Sequence, residues 1–234
     1  MDSLESDLER ARDLSVTDLA DAIETIGFEC TDCGACCQSD EVETDCCDSS
    51  GDGDPHTATI FPDEIRTLTA RADTDWRDVA RPMPYGLSMG PDGPRGQTFE
   101  WALQTDDCGD CTFYDSAARR CGVYESRPLI CRTYPFSVAL GGTSQPMGEA
   151  VDERGMVRAH ECEGLGRHIS REDAEQLART LKERAIRELE EAIAVRENYR
   201  PVDTGDPVVV YDSEGPKTAS GHALDDDDSE QGFE

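Results

Sequence analysis

Cysteine is the residue type in this chain that could carry chemistry, and most of the eleven cysteines fall into two clusters. The first cluster places four thiols within residues 30–37, among Thr, Asp, Gly and Ala side chains that could not bury them. The second covers residues 108–131, and one cysteine follows at position 162. A disulfide framework fits poorly, because the number of cysteines is odd and the chain shows no export signal. Thiols clustered at this spacing predict metal ligation.

The spacing of the first cluster favours one kind of metal centre only slightly. Cys30, Cys33 and Cys36 are separated by two residues each, which is the spacing that bacterial ferredoxins use to hold an iron–sulfur cluster. Zinc prefers one C-x2-C pair combined with a second pair elsewhere, and Cys108 with Cys111 could supply that pair. We therefore predict an iron–sulfur cluster as the cofactor, with zinc as the alternative.

The charge of the chain excludes several classes of partner. Asp and Glu total 52 against 22 Lys and Arg, which gives a formal net charge of -30. A field of this sign repels nucleic acids and anionic membrane surfaces, so we predict neither as a partner. The acidic start of the chain lacks the apolar stretch of a secretory signal, so a cytoplasmic protein is expected. Because carboxylates occur in every segment, the acidity is typical of a halophilic protein, adapted to concentrated salt.

The elements that must position the cysteines divide the chain into four segments. Residues 1–27 predict an N-terminal helical segment, and residues 28–169 form the cysteine-cluster metal-binding domain. Ser170 is a good N-cap, and the apolar stripe that follows it predicts a C-terminal helix over residues 170–200. Residues 201–234 are acidic and low in apolar content, which predicts a disordered tail.

Strands are expected to be few and short. Residues 57–61 and 98–104 are β-prone, whereas residues 82–97 contain four prolines and four glycines and predict irregular loop. We therefore predict a mainly α fold with few short strands: a compact cysteine-rich metal-binding domain, a long C-terminal helix and a disordered acidic tail. Because only 36% of the residues are hydrophobic, bound metal is expected to contribute much of the stability of this domain.

Two stretches of sequence resemble a known family. FECTDCGACC (28–37) and CTFYDSAARRCGVYESRPLICRTYP (111–135), followed by a lone downstream cysteine, are similar to the cysteine-cluster family with the CxxCxxCC signature, a zinc- or iron-chelating domain. Carried over residue by residue, the resemblance implies eight metal ligands, enough for two four-thiolate centres. They are Cys30, Cys33, Cys36, Cys37, Cys111, Cys121, Cys131 and Cys162. Cys46, Cys47 and Cys108 lie outside the family's pattern, and Cys46 and Cys47 are expected to be dispensable for metal binding.

Two arginines flank the ligand Cys131 in the motif SRPLICRTYP. Several thiolates gather negative charge in a chain that is already acidic, and nearby guanidinium groups would offset it. Arg127 and Arg132 are therefore predicted to lie at the cofactor, with hydrogen bonds to loop carbonyls as the alternative role.

The residues and the resemblance together predict a metal-chelating cysteine-cluster protein that holds an iron–sulfur cluster and acts in redox chemistry or electron transfer. One alternative is a structural zinc module that presents its C-terminal helix to a protein partner. A second is a protein-modifying enzyme, because a flagellin lysine N-methylase resembles this family in its cysteine motif. No Ser/His/Asp set, phosphate loop or HExxH is visible, so the sequence leaves open whether the chain is an enzyme.

Overall fold

The computed structural model describes residues 3–39, 55–141, 143 and 155–224. Its helices are α1 (Leu4–Asp13), α2 (Val16–Ile26), α3 (Pro62–Ala72), α4 (Trp76–Val79), α5 (Leu129–Thr133) and α6 (Arg171–Asn198). Its strands are β1 (Thr59–Ile60), β2 (Ala80–Pro82), β3 (Leu87–Gly90), β4 (Gly93–Phe99), β5 (Trp101–Leu103), β6 (Tyr114–Asp115), β7 (Arg120–Cys121), β8 (Phe136–Val138), β9 (Val157–Ala159), β10 (Val208–Asp212) and β11 (Gly215–Thr218).

The chain divides into two compact units, each made of two separate stretches of sequence. The first unit consists of Met1–Cys36 and Asp115–Ile193, and the second of Cys37–Tyr114 and Ala194–Glu234. The boundaries fall inside the predicted metal-binding segment and inside α6 rather than between the predicted segments.

The predicted fold class is wrong, because the chain is mixed α/β and not mainly α. Of the residues that the structure describes, 38% are helical and 22% are in strands, arranged in six helices and four sheets. The error arises largely in residues 82–97, which form β3 and β4 instead of irregular loop. Their glycines serve the hairpin: Gly93 at the turn has a φ of 115°, which other residues rarely adopt. Cross-strand pairing here outweighs the low β-propensity of Gly and Pro.

The first unit has a continuous apolar core that the amphipathic helices build. Helix α2 is capped by the Ser15 hydroxyl, which accepts the Asp18 N–H, and it ends at Gly27 with a φ of 73°. α1, α2 and α6 bury their apolar stripes against the antiparallel pair β8–β9. The fully buried members include Ile23, Phe136 and Leu181. The helices predicted from the sequence at both ends of this unit are present, and no cysteine belongs to the buried set of this core.

A buried ion pair ties α6 to the turn that follows α5. Arg184 and Glu188 have side chains only 7% and 8% exposed, and Arg184 Nε donates to the Glu188 carboxylate at 2.8 Å. Arg184 Nη1 also donates to Thr133 Oγ1 at 2.9 Å and to the Phe136 carbonyl at 3.1 Å. The guanidinium therefore satisfies acceptors on both elements in a place that water does not reach.

The second unit contains the two larger sheets. One has the strand order β1-β5-β2, and the other has the order β11-β10-β4-β3, in which β10 runs parallel to β4. Trp101 in β5 is fully buried and meets Trp76 edge to face, with ring centroids 5.1 Å apart. Helix α3 begins at Pro62, where the fixed φ of proline suits the first helical residue.

The prediction of a disordered acidic tail is wrong for the part of it that the structure describes. β10 and β11 pair as an antiparallel hairpin, and every residue of β10 is buried. The acidic residue of β10 that would oppose burial, Asp212, is paired with Lys217 at 2.7 Å and accepts the Trp101 Nε1–H at 2.8 Å. Residues 225–234 lie outside the described residues.

Glu214 makes the stability of the second unit depend on pH. Its carboxylate accepts hydrogen bonds from Arg66 at 2.7 Å and Lys217 at 2.6 Å, and the Arg66 bond is the main cause that lowers the pKa of Glu214 from 4.5 to about 2. This stabilisation is fully present above the unfolded-state pKa and is lost as the pH falls through the folded-state pKa. We expect E214Q to lower the free energy of unfolding more at pH 7 than at pH 3, as measured by urea denaturation. An equal loss at the two pH values would contradict this assignment.

None of the helices within the described residues combines the length and the apolar character that a membrane span requires.

Candidate metal centre

The first unit groups the thiols of five cysteines from three separate stretches of sequence. Cys36 lies close enough to Cys30, Cys121 and Cys162 to affect the pKa of each electrostatically, and Cys33 acts in the same way on Cys162. The first cysteine cluster therefore meets one cysteine of the second cluster and the distant Cys162 in the folded unit.

The loop that carries Cys30 is fixed against the loop that carries Cys162. The Glu29 N–H donates to the Gly164 carbonyl at 3.1 Å, and the Thr31 hydroxyl donates to the Glu163 carboxylate. A Cβ at Gly164 would clash with the carbonyl oxygen of Glu29, so this close approach requires glycine. The two loops consequently bring cysteines more than 130 residues apart to one place.

Three of the grouped sulfurs have the same kind of main-chain donor nearby. The backbone N–H of the residue two positions later, namely Asp32, Val123 and Gly164, acts to lower the pKa of Cys30, Cys121 and Cys162. The Cys30 thiol also donates to the Asp32 carboxylate at 3.7 Å. The Gly164 nitrogen lies 3.4 Å from Cys162 Sγ. A main-chain N–H donated to sulfur stabilises the thiolate, the form that binds metal.

Burial nevertheless raises the pKa of these thiols. It is the largest cause at Cys30, Cys121 and Cys162, and the neighbouring thiols raise each pKa further. The backbone N–H bonds act in the opposite direction at all three. The thiols thus have N–H donors that favour the thiolate form. They lack a positive charge large enough to offset the repulsion between neighbouring thiolates, and a metal cation would supply that charge.

The thiols differ in their exposure to solvent. Cys30 and Cys36 are exposed, whereas Cys33, Cys121, Cys131 and Cys162 are half-buried. Cys131 lies in α5, and the chain just after it is joined to the chain just before Cys162: the Tyr134 hydroxyl donates to the Glu161 carbonyl at 2.8 Å.

The second unit contains the remaining predicted ligands. The Cys111 N–H donates to the Cys37 carbonyl at 2.8 Å, and Cys111 is only 4% exposed. Cys108 is disulfide-bonded. Cys46 and Cys47 lie outside the described residues, so their expected dispensability stays a prediction.

The donor set fits a soft metal, although the thiols are not at bonding distances. Within the described ranges, no three Cys, His, Asp or Glu side chains are placed as ligands of one metal ion. Thiolate sulfur is the ligand that zinc and iron–sulfur clusters select. Binding would require the grouped loops to move closer together, and the eight-cysteine ligand set stays a prediction.

One of the two arginines predicted at the cofactor acts on a thiol. The Arg127 guanidinium lies 3.7 Å from the centre of the Tyr124 ring, donates to the Tyr124 carbonyl at 3.2 Å and lowers the pKa of Cys121. Arg132 is exposed in the last turn of α5. Sequence reasoning missed Arg119, which donates to the Cys33 carbonyl at 3.2 Å. The adjacent pair Arg119–Arg120 before Cys121, in so acidic a chain, was the available signal.

These features define a mixed α/β protein whose cysteine loops are grouped around a thiol-rich candidate centre. The chain belongs to the CxxCxxCC family, described as a "putative zinc- or iron-chelating domain", whose sequence pattern matches residues 29–163, more than half of the chain. The family membership predicted from the cysteine motif is confirmed, and metal chelation is the activity that it supports. No curated protein and no solved structure matches the chain.

Proposed function

We propose that the chain binds an iron–sulfur cluster through its cysteines and acts in redox chemistry or electron transfer. The observation that carries the proposal is the grouping of the thiols with main-chain N–H groups that favour the thiolate, as where the Gly164 N–H donates to Cys162 Sγ at 3.4 Å. Hydrogen bonds to the sulfurs, together with exposure to solvent, are the means by which a protein sets the reduction potential of such a cluster.

The core of the first unit does not depend on the cysteines, which favours a functional metal centre over a purely structural one. The buried core of the first unit is built from helices and the β8–β9 pair, without a cysteine in its buried set. Metal would therefore order the cysteine loops rather than create the core. Metal is therefore expected to stabilise the cysteine loops, and not the whole domain as the sequence suggested.

The roles of the side chains follow from their places in the first unit. Cys30, Cys33, Cys36, Cys121 and Cys162 would hold the cluster, and the ligand roles of Cys37, Cys111 and Cys131 stay predictions from the resemblance to the family. The backbone N–H groups of the cysteine loops hold negative charge on sulfur, and the Arg127 charge offsets part of it near Cys121. When bound, an iron–sulfur cluster supplies one-electron transfer.

Zinc is the second candidate, and the second unit offers an observation in its favour. Cys37 and Cys111 are joined through a backbone hydrogen bond, and Cys111 is buried. A closed, buried thiolate site is typical of structural zinc.

Anaerobic purification with metal and acid-labile sulfide analysis tests the proposal. We expect iron and sulfide in equal amounts, together with a visible absorption that bleaches when dithionite is added. A colourless protein that contains zinc would favour the second candidate. A reduced protein that retains neither metal after incubation with iron, sulfide or zinc would contradict both.

A further inference from the structure

The segment around Cys121 and Cys131 carries the opposite charge to the rest of the chain. Residues 117–132 contain four arginines and one carboxylate, Glu125, in a protein whose formal net charge is -30. We call Arg119, Arg120, Arg127 and Arg132 the arginine patch. All four belong to the first unit, as do the five grouped thiols.

The arginine patch has no carboxylate partners among the residues that the structure describes. Several other arginines of the same unit are paired with carboxylates; Arg171, for example, contacts Asp21 and Glu24, each at 2.5 Å. In a chain with 52 acidic residues, arginines that stay out of ion pairs keep their charge for another anion. Arg119, Arg120 and Arg132 are also exposed, so that anion can come from solution.

The positive charge of the patch acts on the thiols themselves. Arg119 donates to the carbonyl of Cys33, and the Arg127 charge reaches the sulfur of Cys121. The carboxylates of Asp32 and Glu163 raise the pKa of two other thiols, Cys30 and Cys162. The positive charge of the arginines is therefore felt on the Cys121 side of the grouped thiols. An incoming species would approach the exposed thiol of Cys36, which lies close to Cys121, along this positive side.

A bare metal cation does not suit this approach. The acidic surface attracts cations, whereas the arginine patch repels them on the Cys121 side of the grouped thiols. A metal ion carried by a polycarboxylate is negatively charged, and its carboxylates can form bidentate hydrogen bonds with guanidinium groups.

We propose that the cysteine loops receive their metal as an anionic polycarboxylate complex, which the arginine patch recognises. This inference rests on the proposed function, because it concerns how the same thiols acquire metal. In the transfer step a metal–carboxylate bond breaks as a metal–sulfur bond forms. The thiol proton passes to the released carboxylate or to the buffer, and no electron is transferred. Arg120 guides the complex by its charge and is not a ligand.

Cobalt(II) is a suitable probe, because its thiolate complexes absorb visible light. The reduced full-length protein is mixed anaerobically with cobalt chloride or with the anionic complex of cobalt and nitrilotriacetate, and the rise in absorbance is followed by stopped flow. The variants are R120E, the charge-conserving R120K, and R77E, which makes the same charge change at an exposed arginine of the second unit.

We expect R120E to slow transfer from the anionic complex about fivefold at low salt, with R120K and R77E within twofold of the wild type. Transfer from cobalt chloride should not be slowed by R120E. In 1 M NaCl, where the Debye length is about 3 Å, the effect of R120E should disappear. If R120E and R77E slow transfer equally, or if both forms of cobalt are slowed by the same factor, the patch does not recognise the anionic complex. If neither form of cobalt binds to the wild type, the proposed function itself fails.

Discussion

The variant C36S is expected to lose at least about 100-fold in metal affinity. Cys36 is the grouped thiol whose charge acts on Cys30, Cys121 and Cys162. Even residues that only support metal ligands typically contribute 10–100-fold to affinity, and a lost ligand costs more. Metal content after desalting and titration with a competing chelator measure the effect.

The matched control is the double variant C46S/C47S, which removes two cysteines outside the family pattern and should leave the metal content of the reduced protein unchanged. Circular dichroism of C36S should match that of the wild type, since the buried core of the first unit contains no cysteine. Wild-type metal content in C36S would show that the five grouped thiols are not the binding site. An equal loss in C46S/C47S would show that the ligand set is too narrow.

The variant R184M is expected to lower the free energy of unfolding by about 3–5 kcal/mol, because it removes the Arg184 charge that faces the buried Glu188 carboxylate. It also removes the donor to Thr133 and to the Phe136 carbonyl. Replacing both partners, as in R184M/E188L, removes the buried charge and should recover most of the loss. Urea denaturation of the three proteins measures these differences.

Helix α6 supplies its own control for this experiment. Arg179 and Glu175 form an ion pair of the same i,i+4 spacing, but their side chains are 53% and 36% exposed. R179M should therefore cost no more than about 1 kcal/mol. Equal losses in R179M and R184M would mean that burial does not determine the contribution of the Arg184–Glu188 pair.

The sequence predicted the helices well, because their information is local. Ser170 and Asp173 form the hydrogen-bonded start of α6, and the apolar stripe of that helix is buried as its spacing indicates. The sheets depend on pairing between distant segments, so the sequence indicated the β-prone stretches 57–61 and 98–104 but not how strands pair into sheets. The strand Val208–Asp212 lies beside β4, more than 100 residues earlier, and its burial could not be inferred from an acidic neighbourhood.

The candidate site could be predicted in its residue types but not in its arrangement. The cysteine motif identified the family, yet Cys36 and Cys37, neighbours in the sequence, belong to different compact units. The contact of Arg119 with Cys33 spans 86 residues, and it depends on a left-handed Arg119 backbone with a φ of 51°. Such contacts follow from the folded loops and not from local preference.

The donors to sulfur in the cysteine loops are main-chain amides, so substituting a side chain does not remove them. Replacing Val123 by alanine would leave the N–H group at that position in place, and only proline removes such a donor. For the same reason the side chain at position 123 can change without altering this donor. Position 32 differs, because Asp32 has a φ of 53° and its carboxylate accepts a hydrogen bond from the Cys30 thiol at 3.7 Å. At position 123 the shape of the turn matters, and amino-acid identity alone would not reveal it.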